Sequence, residues 1–430
     1  MLSDEQKAIV KAIDEGESLV ILARAGYGKS ETLKHALANM NESEYVVCAP
    51  TAAAAINIGF GAVTCHSLFG LKPIMYAPDD WNRIKIPDRT YDVLRAIKTL
   101  VIDECGMVRR DVLEIMDYRL RIVKDKMDTP FGGVQVVMMG DFHQVEPVVG
   151  KNERESFYQL YDSAWVFSSD SFKWLDVYTL TKNFRQSNPR SDRILETIRN
   201  RDRYIERAVT VLNNESRPYD PAEPIVTLCS YNKDAEQINT DWFNKNENTP
   251  RYYYSDDYGS PSQLRTLPVG EVVALKKDSI VRICANHPDK LYYNGMVGTV
   301  KLMLEKAVLV EVDGVDVWVN ETEYQVYDYE VTSEGSLERQ VIASRVQIPL
   351  KLCMATTIHS SQGLTLDKVN IHLGNYTFAN NIVYVALSRV RELSNIAFVR
   401  RLKGSDVKVD ESVIEYYNNL KVKEIENVND

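Results

Sequence analysis

Short, uninterrupted apolar runs alternate along this chain with longer stretches in which apolar residues return every three or four positions. Residues 18–22, 45–48, 99–102 and 134–139 are too short for helices and apolar almost throughout, as strands buried on both faces of a parallel sheet are. Around them, residues 3–15 (ended by Gly16), 31–40, an alanine-rich stretch from Ala52, and 110–126 carry the helical period. Further strands are expected at 177–180, 225–229, 369–373 and 396–399. The alternation predicts an α/β protein with two parallel sheets.

Between residues 251 and 345 the period shortens to two. The segments 279–283, 298–304, 307–312 and 315–319 are punctuated by Asn294-Gly295 and Asp313-Gly314, which suggests a small antiparallel barrel inserted into the second α/β lobe. Polar runs at 244–250 and 332–339 read as its boundary linkers.

Composition narrows the class. A chain of 430 residues with 44% hydrophobic residues is long enough for two or three cores. No stretch reaches the length of a membrane span, and the acidic start is unlike a signal peptide or a mitochondrial presequence, so a cytoplasmic (or, in a eukaryote, nuclear) setting is expected. The six cysteines are scattered without a Cys-x-x-Cys pair, which indicates neither a zinc site nor a disulfide framework. A net charge of -10 argues against a protein coated in nucleic acid, although a short single-stranded tract needs only a local groove.

Chemistry enters at the ends of the first and third runs. Ala23-Arg24-Ala25-Gly26-Tyr27-Gly28-Lys29-Ser30 lies between a strand and a helix, the context in which backbone N–H groups converge on phosphates. Gly26 and Gly28 permit positive φ, Lys29 can reach the β- and γ-phosphates, and the Ser30 hydroxyl can ligate Mg²⁺. The pattern G-x-x-x-x-G-K-[ST] is met with one departure, Ala23 in place of its first glycine, and Tyr27 is bulky for its place. Asp103-Glu104 ends the run 99–102 at the edge where parallel sheets bind ligands. Asp103 suits Mg²⁺, and Glu104 suits the proton of an attacking water. ATP and Mg²⁺ are the cofactors this pairing implies.

Several further stretches then fall in order: residues 50–55 with 66–70, Gly140-Asp141-Phe142-His143-Gln144 with Pro147, Asn183-Phe184-Arg185-Gln186, 347–350 leading into 357–365, and Tyr384-Val385-Ala386-Leu387-Ser388-Arg389. The set resembles superfamily 1 DNA helicases of the 5′-to-3′ branch, closest to the Pif-like group and its RecD and phage Dda relatives, over nearly the whole chain. The resemblance implies two RecA-like P-loop lobes: a first lobe at 1–70 and 99–186 with a small wedge insertion at 71–98, and a second at 187–250 and 346–430 with an SH3-like barrel at 251–345. It implies Gln144 as a sensor of the γ-phosphate, Arg185 and Arg389 as arginine fingers, Gly363 beside the nucleotide, and Thr51, His66, Thr357 and His359 as contacts to single-stranded DNA. An exposed ring among Tyr76, Trp81 and Tyr91 would split the duplex.

Each role has a plainer competitor: a surface ion pair for the arginines, a half-buried core position for the histidines. Gln6 carries two readings, adenine recognition and a capping box with Ser3. For the whole chain, the expected function is an ATP-dependent DNA helicase moving 5′-to-3′ on single strands and opening duplex junctions, with one chain as the catalytic unit. A protein-remodelling ATPase and an idle nucleic-acid-binding module stand as alternatives.

Overall fold

The apolar runs of the first half pair side by side. In the computed structural model, residues 2–24, 26–182, 188–362, 364–377 and 379–423 are described. Strands β1 (Leu19–Leu22), β2 (Tyr45–Ala49), β3 (Val63–Thr64), β4 (Thr99–Ile102), β5 (Gln135–Gly140) and β6 (Asp176–Thr179) form one sheet in the order β3-β2-β4-β5-β1-β6. All pairings are parallel, and Leu22 stands opposite both Gly140 and Thr179. Parallel connections bring every carboxyl end to one edge, so the residues that follow β1, β2, β4 and β5 meet there. Cores cover both faces, one holding Ile9, Leu33 and Val47 and the other Val20, Leu100 and Met138.

The second parallel sheet is smaller, in the order Ala355–Thr357, Thr227–Cys229, Val369–His372, Ile396–Phe398. Its first strand was not legible in the sequence, because three residues carry no period. Between the parts of this lobe lies a five-stranded antiparallel sheet built from Val315–Asn320, Ala307–Val312, Val297–Met303, Ile280–Ile283 and Leu350–Leu352. Its last strand lies beyond residue 345. Inward-facing Val281, Val300, Val310 and Val319 give it a core of its own.

Three expectations need correction. The polar run 332–339 is not a linker: Thr332 and Ser336 close the turn of a long hairpin, Thr322–Val331 paired with Leu337–Gln347. That hairpin reaches across to the first lobe, where Tyr329 and Leu337 are buried in its core and Arg339 donates to the Phe60 carbonyl at 2.7 Å and pairs with Glu42. Second, helix Glu411–Asn418, expected with the second lobe, sits against the first: Val413 is fully buried there, and Trp165 Nε1 donates to Asp410 at 2.9 Å. Third, none of the three rings in 71–98 is free. Tyr76 is buried with its hydroxyl bonded to the Lys72 backbone, Trp81 lies 5.4 Å from Tyr118, and Tyr91 packs on the same core. No helix among the described residues is long and apolar enough to cross a membrane.

Candidate active site

The phosphate-type loop leaves β1 and turns into helix Lys29–Leu37. Gly26 (φ 85°) and Gly28 (φ 87°) take the positive angles that only glycine adopts cheaply, and Gly28 caps the helix in the left-handed region. Ala23 needs no such angle. Its N–H donates to Gly140 O at 3.1 Å, extending the sheet by one bond, so a side chain is tolerated where the consensus has glycine. Tyr27 points away from the turn into the core with Ile9, Leu33 and Leu180, and the Arg24 guanidinium lies 5.8 Å from its ring centre. Lys29 Nζ is held at the loop by Ala23 O (2.6 Å) and Arg24 O (3.2 Å), and Ser30 is exposed on the first helical turn.

Gln6 fulfils the capping-box reading. Its Oε1 accepts from Ser3 N at 2.9 Å, and its Nε2 donates to Gly28 O and Thr32 Oγ1, each at 3.2 Å. The N-terminal helix is thereby tied to the loop. Adenine recognition by the same amide would require it to leave these partners.

Asp103 and Glu104 stand at the end of β4, Glu104 in the left-handed region (φ 50°) that a non-glycine residue occupies only under constraint. Burial, then the neighbouring Glu104 carboxylate, raises Asp103 to a pKa of about 7, with Lys29 opposing. Burial likewise raises Glu104, and Asp141 adds to the rise, while Lys29 and Arg389 oppose it. One carboxylate therefore feels a cation from each lobe. Arg389 is fully buried, donating to Val385 O (2.9 Å), Ser361 O (3.2 Å) and Ser388 Oγ (2.7 Å), and is not a surface ion pair.

Gln144 is also shared. Its Nε2 donates to Asp141 Oδ2 at 3.3 Å and its Oε1 accepts from Gln362 Nε2 at 3.1 Å, a bond between the lobes. Asn381 donates to the Gln144 and Phe142 carbonyls. Asp141 is held ionised: burial would raise its pKa, but Arg199, His143 and Lys29 bring it below the usual value. Arg199, Gln362 and Asn381 were not singled out as site residues in the sequence. Gln362 lies within a recognised stretch, but Arg199 sits in an ordinary amphipathic helix, where arginines are usually solvated.

The expected DNA contacts occupy the corresponding edges. Thr51, two residues beyond β2, caps helix Ala52–Ile58 by accepting from Ala54 N, and His66 follows β3. Thr357 ends its strand with its hydroxyl donated to Ser360, and His359 is in the next turn. Both histidines are half-buried, and burial lowers both pKa values, with Arg109 adding to the shift at His66, so neutral imidazole is favoured. The barrel touches both sides: Asn294 donates to Asn57 at 3.1 Å and Arg282 to Ser360 O at 3.1 Å. Ala25, Arg185 and Gly363 lie outside the described residues.

Residues 1–207 match the family model of PIF1-like helicases. An ATP-dependent DNA helicase Pif1 from Bdellovibrio bacteriovorus is 28% identical over 424 residues, spanning 97% of this chain and 91% of that protein. Bacteroides Pif1 in complex with ADP-AlF4 superposes with a TM-score of 0.88 at 32% identity, over 97% of this chain and 96% of that one. Bacteroides Pif1 bound to single-stranded DNA superposes with a TM-score of 0.67. With the loop, the acidic pair and the shared cleft all in place, the chain belongs to the Pif1-like family of superfamily 1 DNA helicases.

Proposed function

We propose that the chain is an ATP-dependent DNA helicase that moves 5′-to-3′ along single-stranded DNA and separates duplex ahead of it, each chain being a complete catalytic unit. The observation that carries this reading is the joining of the lobes at the cleft, where Gln362 Nε2 of the second lobe donates to Gln144 Oε1 at 3.1 Å and Asn381 Nδ2 to the Phe142 and Gln144 carbonyls. A nucleotide held there is completed only when both lobes contribute.

In the proposed cycle the N–H groups around Gly26 to Lys29 and the Lys29 ammonium bind the phosphates, with Ala25, Tyr27 and Gly363 as neighbouring parts of the cradle. Ser30 and Asp103 would hold Mg²⁺. The fit is chemical: an exposed hydroxyl and a carboxylate whose pKa is raised first by burial and then by the adjacent Glu104 carboxylate, a charge that a cation would offset. Mg²⁺ sites of this kind use one or two protein oxygens and leave the rest to phosphate and water. When bound, the ion would neutralise charge on the transferred phosphoryl group.

Glu104, once ionised, accepts the proton of the attacking water. Gln144 orients that water, and Arg389 with Arg185 balances the charge that develops on the phosphoryl oxygens. Loss of the γ-phosphate removes what draws the lobes together. Thr51 and His66 on one lobe and Thr357 and His359 on the other hold phosphate and sugar, which positions a strand without reading its sequence. A protein-remodelling ATPase finds less support, since the second lobe places its DNA-type stretch in contact with both Gln144 and the barrel. The testing experiment is unwinding of tailed duplexes with ATP: 5′-tailed substrate should open, and opening of 3′-tailed substrate alone would overturn the stated direction.

A further inference from the structure

One buried charge outside the recognised stretches joins the two halves of the cleft. Arg199, near the end of helix Pro189–Asn200, is 8% exposed, and its Nη2 donates to Asp141 Oδ1 at 3.2 Å. The guanidinium lies over the rings of Tyr417 (5.0 Å) and Tyr384 (5.9 Å), so the second lobe, the C-terminal helix and the loop after β5 converge on it. Its Nε has no hydrogen-bond partner among the described residues. One turn earlier on the same helix, Glu196 pairs with Arg24 of the phosphate loop. The helix thus braces both the loop after β1 and the loop after β5.

The chemistry of Asp141 gives the contact its meaning. An ionised carboxylate only accepts, so Asp141 obliges Gln144 to turn its NH₂ inward and its oxygen toward Gln362. A protonated Asp141 would donate as well as accept, and a displaced one would not reach Gln144; in either case the Gln144 amide would have no fixed orientation. Arg199 is the counter-charge on the second-lobe side of that carboxylate. A buried pair that loses one member strands the other without compensation, which is why this contact differs from a solvated ion pair.

We propose that Arg199 is a positioning residue for the hydrolytic step: through Asp141 it fixes the orientation of the Gln144 amide in the nucleotide cleft, and so couples the second lobe to that cleft. The inference rests on reading the cleft as an ATP site. It assigns a role in that chemistry to a residue that touches no nucleotide.

The test compares steady-state ATP hydrolysis, with saturating single-stranded DNA, in Arg199→Met, Arg199→Lys, Asp141→Asn and the double variant Arg199→Met/Asp141→Asn, each with its Tm. Misplaced catalytic groups lower kcat by about 10²-fold, and KM for ATP should stay within about threefold in Arg199→Met. Arg199→Lys should recover part of kcat, and the double variant, with no stranded charge, should fold and be no slower than the slower single one. Unchanged kcat in the double variant would overturn the inference. So would a fall in kcat that only tracks a fall in Tm. Lys29→Ala separates the two levels: if wild type fails to hydrolyse ATP, both readings fall together, whereas wild-type turnover that Lys29→Ala abolishes and Arg199→Met leaves intact sinks this one alone.

Discussion

At the carboxyl edge of the six-stranded sheet stand Lys29, Asp103, Glu104 and Asp141, whereas the strands of the four-stranded sheet run out at Cys229, Thr357, His372 and Phe398. The first edge gathers three carboxylates and one ammonium; burial is the main cause of the raised pKa values of Asp103 and Glu104, a neighbouring carboxylate adding to each rise and Lys29 opposing it. The second sheet ends in mostly neutral groups. What its lobe adds is cationic: Arg199, on helix Pro189–Asn200, against Asp141, and Arg389, in the turn after helix Ile382–Leu387, acting on Glu104. The lesson is that neither sheet holds a balanced site. In the proposed cycle, charge is completed across the cleft, so a change in the cleft's contents would change how strongly the lobes attract.

The sharpest way to break this comparison is to take the lone ammonium from the first edge. Lys29→Ala should abolish measurable ATP turnover while single-stranded DNA binding, read by fluorescence anisotropy, stays within about threefold, because the proposed phosphate and sugar contacts lie elsewhere. Turnover that survives would remove the loop from the site.

A smaller effect is expected from pH. As the proposed base Glu104 would work only when ionised, and its pKa is raised by burial and Asp141, so kcat should fall on acidification at a pH above the ordinary glutamate value of about 4.3. An acid limb at or below that value would mean that Glu104 is not the base.

The smallest effect concerns Gln6, which lies on the rim of the first edge. Gln6→Ala removes its bonds to Ser3, Gly28 and Thr32, and loss of such a cap costs about 1 kcal/mol in a denaturant titration. Because the amide is committed to the loop, KM should rise equally for ATP and GTP. A rise for ATP alone would support the adenine reading.

Much of this was legible beforehand where chemistry and period coincide. Runs such as 19–22 and 99–102 are buried on both faces, so hydrophobicity alone identifies them, and the residues just past them carry the charges. Ala23 and Tyr27 looked like defects of the loop only because a consensus does not say which positions need positive φ. Short strands escaped: Val63–Thr64 and Ala355–Thr357 are defined by their neighbours rather than by any pattern of their own. The hairpin turn at 332–336 has a linker's composition, and only the packing of Tyr329 and Leu337 reveals that it crosses to the other lobe. Arg199 could not be found at all, since the charge that pairs with it lies 58 residues away.

The most direct measurement is pre-steady-state ATP hydrolysis by Arg389→Ala with single-stranded DNA bound, set beside its equilibrium affinity for ATP. A cation supplied by the second lobe to the developing phosphoryl charge predicts a hydrolysis rate lowered by about 10³-fold or more, with affinity changed far less. A rate equal to wild type would contradict the completion of the site across the two lobes.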